Sequence, residues 1–194
     1  EFQAPSRRFS VSPRVDYAIN QNNTLVARYS FSQSASENQG ISTFSLPTRA
    51  YDTTSSSHEL RLTETMIINA TTVNETRFEY SWDKREQNGD NSIPTISVSD
   101  AFTGGGAQIG LSFNDTKAWE LQNFTTTSVG PNAQHGLKFG LKLRNTSIND
   151  RSENNYGGSF TFAGAQPVTS PAGCFPGEPG CTILQPSVSP LDQY

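Results

Sequence analysis

The sequence predicts an all-β protein: an antiparallel, up-and-down transmembrane β-barrel segment of about six long strands with long loops, which does not close into a complete barrel. Three observations predict it. Apolar residues recur at every second position in six stretches of the chain, which is the period of a strand and not of a helix. The connections between these stretches are alternately short and long, as in outer-membrane barrels. No stretch reaches about 18 consecutive apolar residues, so a membrane helix is not predicted.

The predicted strands are about ten residues long, the length that spans a membrane in a tilted barrel strand. They cover residues 10–19, 24–32, 58–68, 72–84, 117–128 and 135–145. Tight turns follow the first, third and fifth strands. The long polar segments 33–57, 85–116 and 146–194 then lie together at the opposite end, where they are predicted to be extracellular loops. Six strands cannot close a barrel, so both sheet edges need neighbours, and we expect the chain to be a segment of a longer protein.

Composition narrows the class of protein further. Only 33% of the 194 residues are hydrophobic and 16% are charged, and the formal net charge is -4. Both shares are below those usual for globular domains, and Ser, Thr, Asn, Gln and Gly take the place of the missing apolar and charged residues. This composition disfavours both a helical bundle and a charged disordered chain. An acidic chain offers no basic surface, so no nucleic-acid partner is expected.

The polar face of the predicted sheet carries charges of both signs. Turns centred on Asn22, Ala70 and about Asn132 define the cross-strand register, and counting outward from them pairs opposite charges. The predicted lumenal pairs are Asp16–Arg28, Arg61–Glu79 and Glu120–Arg144. The same counting places Phe124 opposite Gly140, where an aromatic ring can cover the glycine.

The other face alternates apolar residues and is predicted to face lipid. In the last strand it carries four large apolar side chains: Leu137, Phe139, Leu141 and Leu143. Phe31, Trp82 and Trp119 lie next to the long loops, the level at which a girdle of membrane-interface aromatics is expected. The alternative is a soluble β-sandwich that buries these aromatics in its core.

Several segments resemble the barrel of TonB-dependent outer-membrane receptors, in the subgroup with an N-terminal carboxypeptidase-regulatory-like domain. They are RFSVSPRVDYAINQNNTLVARYSFS, HELRLTETMIINATTVNETRFEYSWDKREQ, ISVSDAFTGGGAQIG, ELQNFTTTSVGPNAQHGLKFGLKLR and NNYGGSFTFAG. The resemblance covers about residues 9–164, and NETRFEY and AFTGGGAQIG are its most specific parts. It implies a 22-strand barrel with an N-terminal plug and energised uptake of bulky ligands. The plug and the TonB box are absent from these residues, and the family has no fixed ligand motif on these strands, so the ligand-binding residues are unknown.

Other motifs give no catalytic, metal or cofactor site. The glycine-rich segment 103–110 lacks the Lys-Ser/Thr of a phosphate loop. His58 and His135 have no Cys or His partner at metal-ligand spacing. Glu75 and Glu79 flank Arg77, which indicates a charge ladder more than a pair of catalytic carboxylates. We therefore expect a protein that is not an enzyme and needs no cofactor.

The two cysteines enclose a short segment, CFPGEPGC, with two Pro-Gly steps that favour turns. In a cell-surface loop, Cys174 and Cys181 are expected to form a disulfide.

Two functions remain open. The first is a TonB-dependent transporter in the bacterial outer membrane. Its partners would be outer-membrane lipid, the rest of the barrel, the plug domain, the TonB system and an unknown ligand. The second is a cell-surface β protein without transport activity, an adhesin or a lectin-like binding module.

Overall fold

The computed structural model describes residues 2–166, 168–170 and 174–194. It is an all-β structure with one short helix, α1. Its strands, in chain order, are β1 Ser6–Val11, β2 Arg14–Asn20, β3 Asn23–Gln39, β4 Tyr51–Asn69, β5 Thr72–Gly89, β6 Thr95–Val98, β7 Phe102–Gly105, β8 Ser112–Val129, β9 His135–Arg151, β10 Ser159–Phe162, β11 Val168–Ser170 and β12 Thr182–Gln185, and α1 is Pro190–Gln193. Two 3₁₀ turns, Pro47–Arg49 and Pro131–Ala133, complete the regular structure.

The main sheet is antiparallel and follows the order of the chain. Its strands lie in the order β1-β3-β4-β5-β8-β9, with β2 beside β3. The predicted fold class is confirmed: long strands run up and down, and the sheet stays open. Among the described residues, β9 at one edge and β1 with β2 at the other have no further strand partner.

The predicted first strand, 10–19, is two strands in the structure. The break falls at Ser12 and Pro13, between β1 and β2. Proline lacks the backbone N–H that a ladder needs, while its carbonyl still accepts a hydrogen bond from the Tyr29 N–H at 3.1 Å. Both halves keep one register against β3, with Val11 opposite Phe31 and Arg14 opposite Arg28.

The long strands exceed the predicted length. β3, β4, β5, β8 and β9 contain 17, 19, 18, 18 and 17 residues. The predicted loops 33–57 and 85–116 therefore contract to residues 40–50 and 90–111. The additional residues are mostly Ser, Thr, Asn, Gln and charged, so the backbone ladder continues where the apolar alternation has ended.

The long connections fold together into a cap at one end of the sheet. β6 pairs in parallel with β10 and antiparallel with β7, forming a small sheet separate from the main one. The Leu46 N–H donates to the Thr103 carbonyl at 2.8 Å, which ties the first long loop to the second. Loops 40–50 and 90–111 thus lie at the same end, as the alternation of short and long connections predicted.

The main sheet has no packed apolar core. The buried hydrophobic residues of the described chain are Val98 and Ala107, 3% and 1% exposed, and both belong to the cap. Phe139 and Leu141, by contrast, are 60% and 55% exposed on β9. No second sheet covers them within the described residues, so a soluble sandwich does not describe this fold. None of the described helices is both long and apolar enough to span a bilayer.

Candidate functional site: the charged face of the main sheet

Successive side chains of a strand point to opposite faces, and the two faces of the main sheet differ in chemistry. One face carries charged and hydroxyl side chains and the other mostly aliphatic and aromatic ones. A cavity of about 370 Å³ lies against the charged face, lined by Arg14, Arg28, Arg61, Arg77 and Glu79 among others. A second cavity of about 340 Å³ lies on the same face nearer the cap. The sheet is therefore concave on its charged side.

Six charged residues, one from each of β2, β3, β4, β5, β8 and β9, form a continuous row across this face. Each lies directly opposite the next in the ladder register. In order across the sheet, this charged row is Arg14, Arg28, Arg61, Glu79, Glu120 and Arg144. With strands about 4.8 Å apart the row spans about 24 Å. It brings three cations together, then two anions, then a cation.

The structure brings together two of the three predicted charge pairs. Arg61 lies opposite Glu79, with Nε 3.1 Å from Oε2. Glu120 lies opposite Arg144, but its carboxylate bonds Lys142 instead, with Nζ 2.9 Å from Oε2. Lys142 precedes Arg144 by two residues on the same face, so either cation is within reach of that carboxylate.

The predicted pair Asp16–Arg28 is wrong. Asp16 lies opposite Val26, and Arg14 is the residue opposite Arg28. The β2–β3 ladder centres on Gln21, one residue before the predicted centre at Asn22. The displacement is by two residues, which keeps Asp16 on the predicted face.

Arg14 binds Asp16 along its own strand. Its Nε and Nη2 donate to the two carboxylate oxygens at 2.8 and 2.7 Å, the bidentate geometry that suits guanidinium and carboxylate. Arg61 contacts Glu59 as well as Glu79. Arg28, between these two arginines, makes no ion pair with any described residue. Sequence reasoning missed this cluster because it depends on the shifted register.

Toward the cap the charged face becomes a wall of hydroxyl groups. The second cavity is lined by Ser32, Ser34, Ser55 and Ser57, with Arg8 and Arg85 at its sides. This wall continues above the charged row along the extended parts of β3 and β4. It offers small hydrogen-bonding groups next to the cations.

An aromatic row marks one limit of the apolar face. Phe31, His58 and Trp82 lie in register, with ring centroids 4.8 Å apart for the first pair and 5.2 Å for the second. Lys117 Nζ lies 5.2 Å from the Trp82 ring centroid. Trp82 Nε1 donates to Asp115 Oδ1 at 2.8 Å. Rings with polar edges at a boundary are typical of a membrane-interface girdle.

Trp119 does not share this row, contrary to the prediction of one level for all three aromatics. Lys117 faces Trp82, and Trp119 faces Tyr80 in the next row of the same face. Trp119 thus lies two residues deeper along its strand. His58, which joins Phe31 to Trp82, was assigned no role from sequence because only its partners on the neighbouring strands reveal one.

The apolar face below the aromatic row has the height of a membrane span. On β4 the band runs from His58 to Ile68. At about 3.3 Å per residue and a tilt of about 40°, ten steps give about 25 Å, the height of the lipid-facing band of such barrels. The charged row lies within this height, three residues along β5 from Trp82 to Glu79.

Polar side chains on the lower part of the apolar face bond one another. Asn23 Nδ2 donates to Glu64 Oε1 at 2.9 Å. Asn74 and Asn123 exchange amide hydrogen bonds at 3.2 and 3.0 Å, and Asn123 also donates to Thr76 at 2.9 Å. These bonds lower the cost of placing polar groups in an apolar environment.

Phe124 covers Gly140 on the charged face, with the two residues directly opposite. A Cβ added to Gly140 would lie 2.6 Å from Phe124 Cδ1 and 2.0 Å from the Asn123 carbonyl oxygen. Lys138 Nζ lies 5.0 Å from the centroid of the same ring. The ring thus occupies the space that the glycine leaves open.

The cap contains a buried cation. Arg49 is 8% exposed, and its Nη1 donates to Thr95 Oγ1 at 2.8 Å and to the Gly106 carbonyl at 3.1 Å. Burial lowers the pKa of Arg49. Nearby, Arg151 and the Leu111 N–H hold the pKa of the Glu153 carboxyl below its usual value. The described part of the chain holds no group of three His, Cys, Asp or Glu side chains suited to a metal.

Cys174 and Cys181 are joined by a disulfide, with Cα atoms 5.8 Å apart. The bonded segment follows β11, and Thr169 Oγ1 donates to the Cys174 carbonyl at 3.0 Å. Residues 171–173, which connect β11 to Cys174, lie outside the described residues. The disulfide closes the loop that precedes β12.

Comparison with known families agrees with this geometry. A family model described as an outer membrane beta barrel domain matches residues 2–179. No curated protein and no solved structure matches the chain. The match covers most of the sequence, and the chain therefore belongs to the outer membrane β-barrel domain family and is part of a membrane-embedded barrel of the outer membrane.

Proposed function

We propose that this chain forms part of the wall of a bacterial TonB-dependent transporter, which takes up a bulky ligand across the outer membrane. The observation that carries the proposal is the charged row on a sheet that is still open after seven strands. Small barrels fill their interior with side chains, whereas wide barrels enclose a polar lumen. A row of six charged residues about 24 Å wide suits the wall of a wide lumen.

The strand lengths support the same proposal. An 18-residue strand tilted by about 40° rises about 45 Å, well beyond a lipid band of about 25 Å. The excess carries the hydroxyl wall and the cap. In outer-membrane barrels the long loops are extracellular, which would give an incoming ligand a polar entry above the membrane.

The resemblance to TonB-dependent receptors supplies the finer assignment. It extends over β1 to β10. It includes NETRFEY, which forms residues 74–80 of β5. In this proposal the free edges of β1, β2 and β9 pair with further barrel strands. Lipid contacts the apolar face, a plug fills part of the lumen, and TonB energises uptake. The role is transport and not catalysis.

The proposal is tested on the intact barrel protein in its native outer membrane. Site-specific photo-crosslinking of its N-terminal region to TonB should give a covalent complex that is lost when the TonB contact segment is deleted. Absence of that complex, in cells whose known receptors do crosslink to TonB, would reject transport of this kind. Binding of such cells to surfaces or glycans without TonB would then support the adhesin or lectin-like alternative.

A further inference from the structure

The three neighbouring arginines of the charged row need a counter-charge. Arg14, Arg28 and Arg61 lie directly opposite one another on β2, β3 and β4, where Cβ atoms are about 5 Å apart. Like charges in directly opposed positions destabilise a sheet. Two of the three are compensated: Arg14 by Asp16, and Arg61 by Glu59 and Glu79.

Arg28 has no bonded counter-charge among the described residues. It is exposed on the concave face and makes no ion pair with any described residue. Asp16 is close enough to interact with Arg28 electrostatically, but both of its carboxylate oxygens are bonded by Arg14. The guanidinium of Arg28 therefore keeps its donors available to a group in the lumen.

The cavity in front of Arg28 is cationic. Its charged lining consists of four arginines and two glutamates: Arg14, Arg28, Arg61, Arg77, Glu79 and Glu120. The volume of about 370 Å³ is within the range of small-molecule sites. Both glutamates of this lining lie on β5 and β8, so the charged lining residues of β2–β4 are all arginines, and the carboxylates of Asp16 and Glu59 lie beside two of them.

We propose that Arg28, with Arg14 and Arg61 beside it, forms an oxyanion site in the lumen wall, and that the ligand crossing this lumen carries carboxylate or phosphate groups. Guanidinium binds both anions through two parallel N–H donors. The hydroxyl wall between the cap and this site supplies hydrogen bonds to the rest of such a ligand. The assignment of the ligand rests on the proposed transport function, whereas the binding site does not.

The test is isothermal titration calorimetry of the intact barrel protein, purified from outer membranes in detergent, with inorganic pyrophosphate and with citrate. We expect at least one of them to bind and the affinity to fall as NaCl is raised, since exposed charges are screened. Arg28→Ala should weaken binding about tenfold or more, equivalent to loss of one charge-assisted contact. Arg28→Lys should give an intermediate affinity, because it keeps the charge and loses the planar fork.

Arg144→Ala is the matched control. Arg144 lies in the same row and also makes no ion pair among the described residues, but it is opposite Glu120 and does not line this cavity. Its replacement should change affinity by less than about twofold, a few tenths of a kcal/mol. Each variant should show the same difference in gel mobility between heated and unheated samples as the unmodified protein. That result would show that the barrel still folds.

Three results would overturn the proposal. The first is that neither anion binds. The second is that Arg28→Ala and Arg144→Ala weaken anion affinity equally. The third is that an anion binds only after the plug is removed. The last would assign the arginines to a plug carboxylate instead of a ligand. Since calorimetry needs no TonB, anion binding without TonB crosslinking would reject the transport function alone, and crosslinking without anion binding would reject the site alone.

Discussion

Gly140 should be the position in β9 least tolerant of a methyl group. A Cβ there would lie 2.0 Å from the Asn123 carbonyl oxygen, 2.6 Å from Phe124 Cδ1 and 2.8 Å from Phe124 Cα. Two of these three atoms belong to the backbone of β8, so the clash cannot be relieved by turning a side chain. Forcing extra atoms into a packed site costs about 1–3 kcal/mol, and we expect Gly140→Ala to destabilise the barrel by that amount.

Gly136 provides the control. It lies four residues earlier on the same face of the same strand, and a Cβ there has no atom within 4 Å. Gly136→Ala should be neutral or should stabilise by about 0.4–1 kcal/mol, because alanine restricts the unfolded chain. Urea unfolding of the intact barrel in bilayers, followed by tryptophan fluorescence, measures both. Equal effects of the two substitutions would refute the assignment of Phe124 as the cover of Gly140.

Three further predictions follow from the lipid face, the cap and the disulfide. Leu141→Arg should destabilise the intact barrel by about 2–4 kcal/mol if this position is near the bilayer midplane, measured by the same unfolding; no change would place Leu141 outside lipid. The pKa of Glu153 is lowered in the folded state, so its stabilisation is complete above its ordinary value of 4.5 and is lost as pH falls through the lowered value. The protection factor of the Leu111 amide, which is the intrinsic exchange rate at each pH divided by the measured rate, should therefore fall in acid, because its N–H bonds this carboxylate at 3.0 Å. Glu153→Gln should remove that pH dependence. Reduction of the Cys174–Cys181 disulfide should increase proteolysis of its loop and leave the thermal transition of the barrel unchanged, because the closed strand ladder stabilises the barrel; a lowered transition would contradict this.

The sequence predicted a register where the turn centre was counted correctly. The β4–β5 ladder centres on Ala70, as counted, and Arg61 therefore lies opposite Glu79. The β2–β3 ladder centres on Gln21, one residue before the counted Asn22, and the Asp16 partner was wrong for that reason. Both connections contain a register shift beside the turn, so the alternation of polarity along each strand does not locate the turn centre.

Strand ends and cap contacts could not be read from alternation. Beyond the lipid band both faces of β3 and β4 are polar, so the period-two signal disappears although the ladder continues. Burial of Arg49 depends on Thr95 and Gly106, which are remote in sequence. The absence of a bonded counter-charge for Arg28 among the described residues likewise depends on the registers of β2, β3 and β4 together. No single segment of the sequence shows it.

The most direct test of a membrane wall is the accessibility of positions on the two faces of β9 in the intact barrel within a lipid bilayer. Single nitroxide labels at Leu137, Lys138, Phe139 and Lys142 would be compared for collision with oxygen, which concentrates in lipid, and with a water-soluble nickel chelate. We expect strict separation of the two faces, with the leucine and phenylalanine positions exposed to oxygen and both lysine positions exposed to the chelate. Equal accessibility on the two faces, or the reverse alternation, would contradict a membrane wall with its charged row toward the lumen.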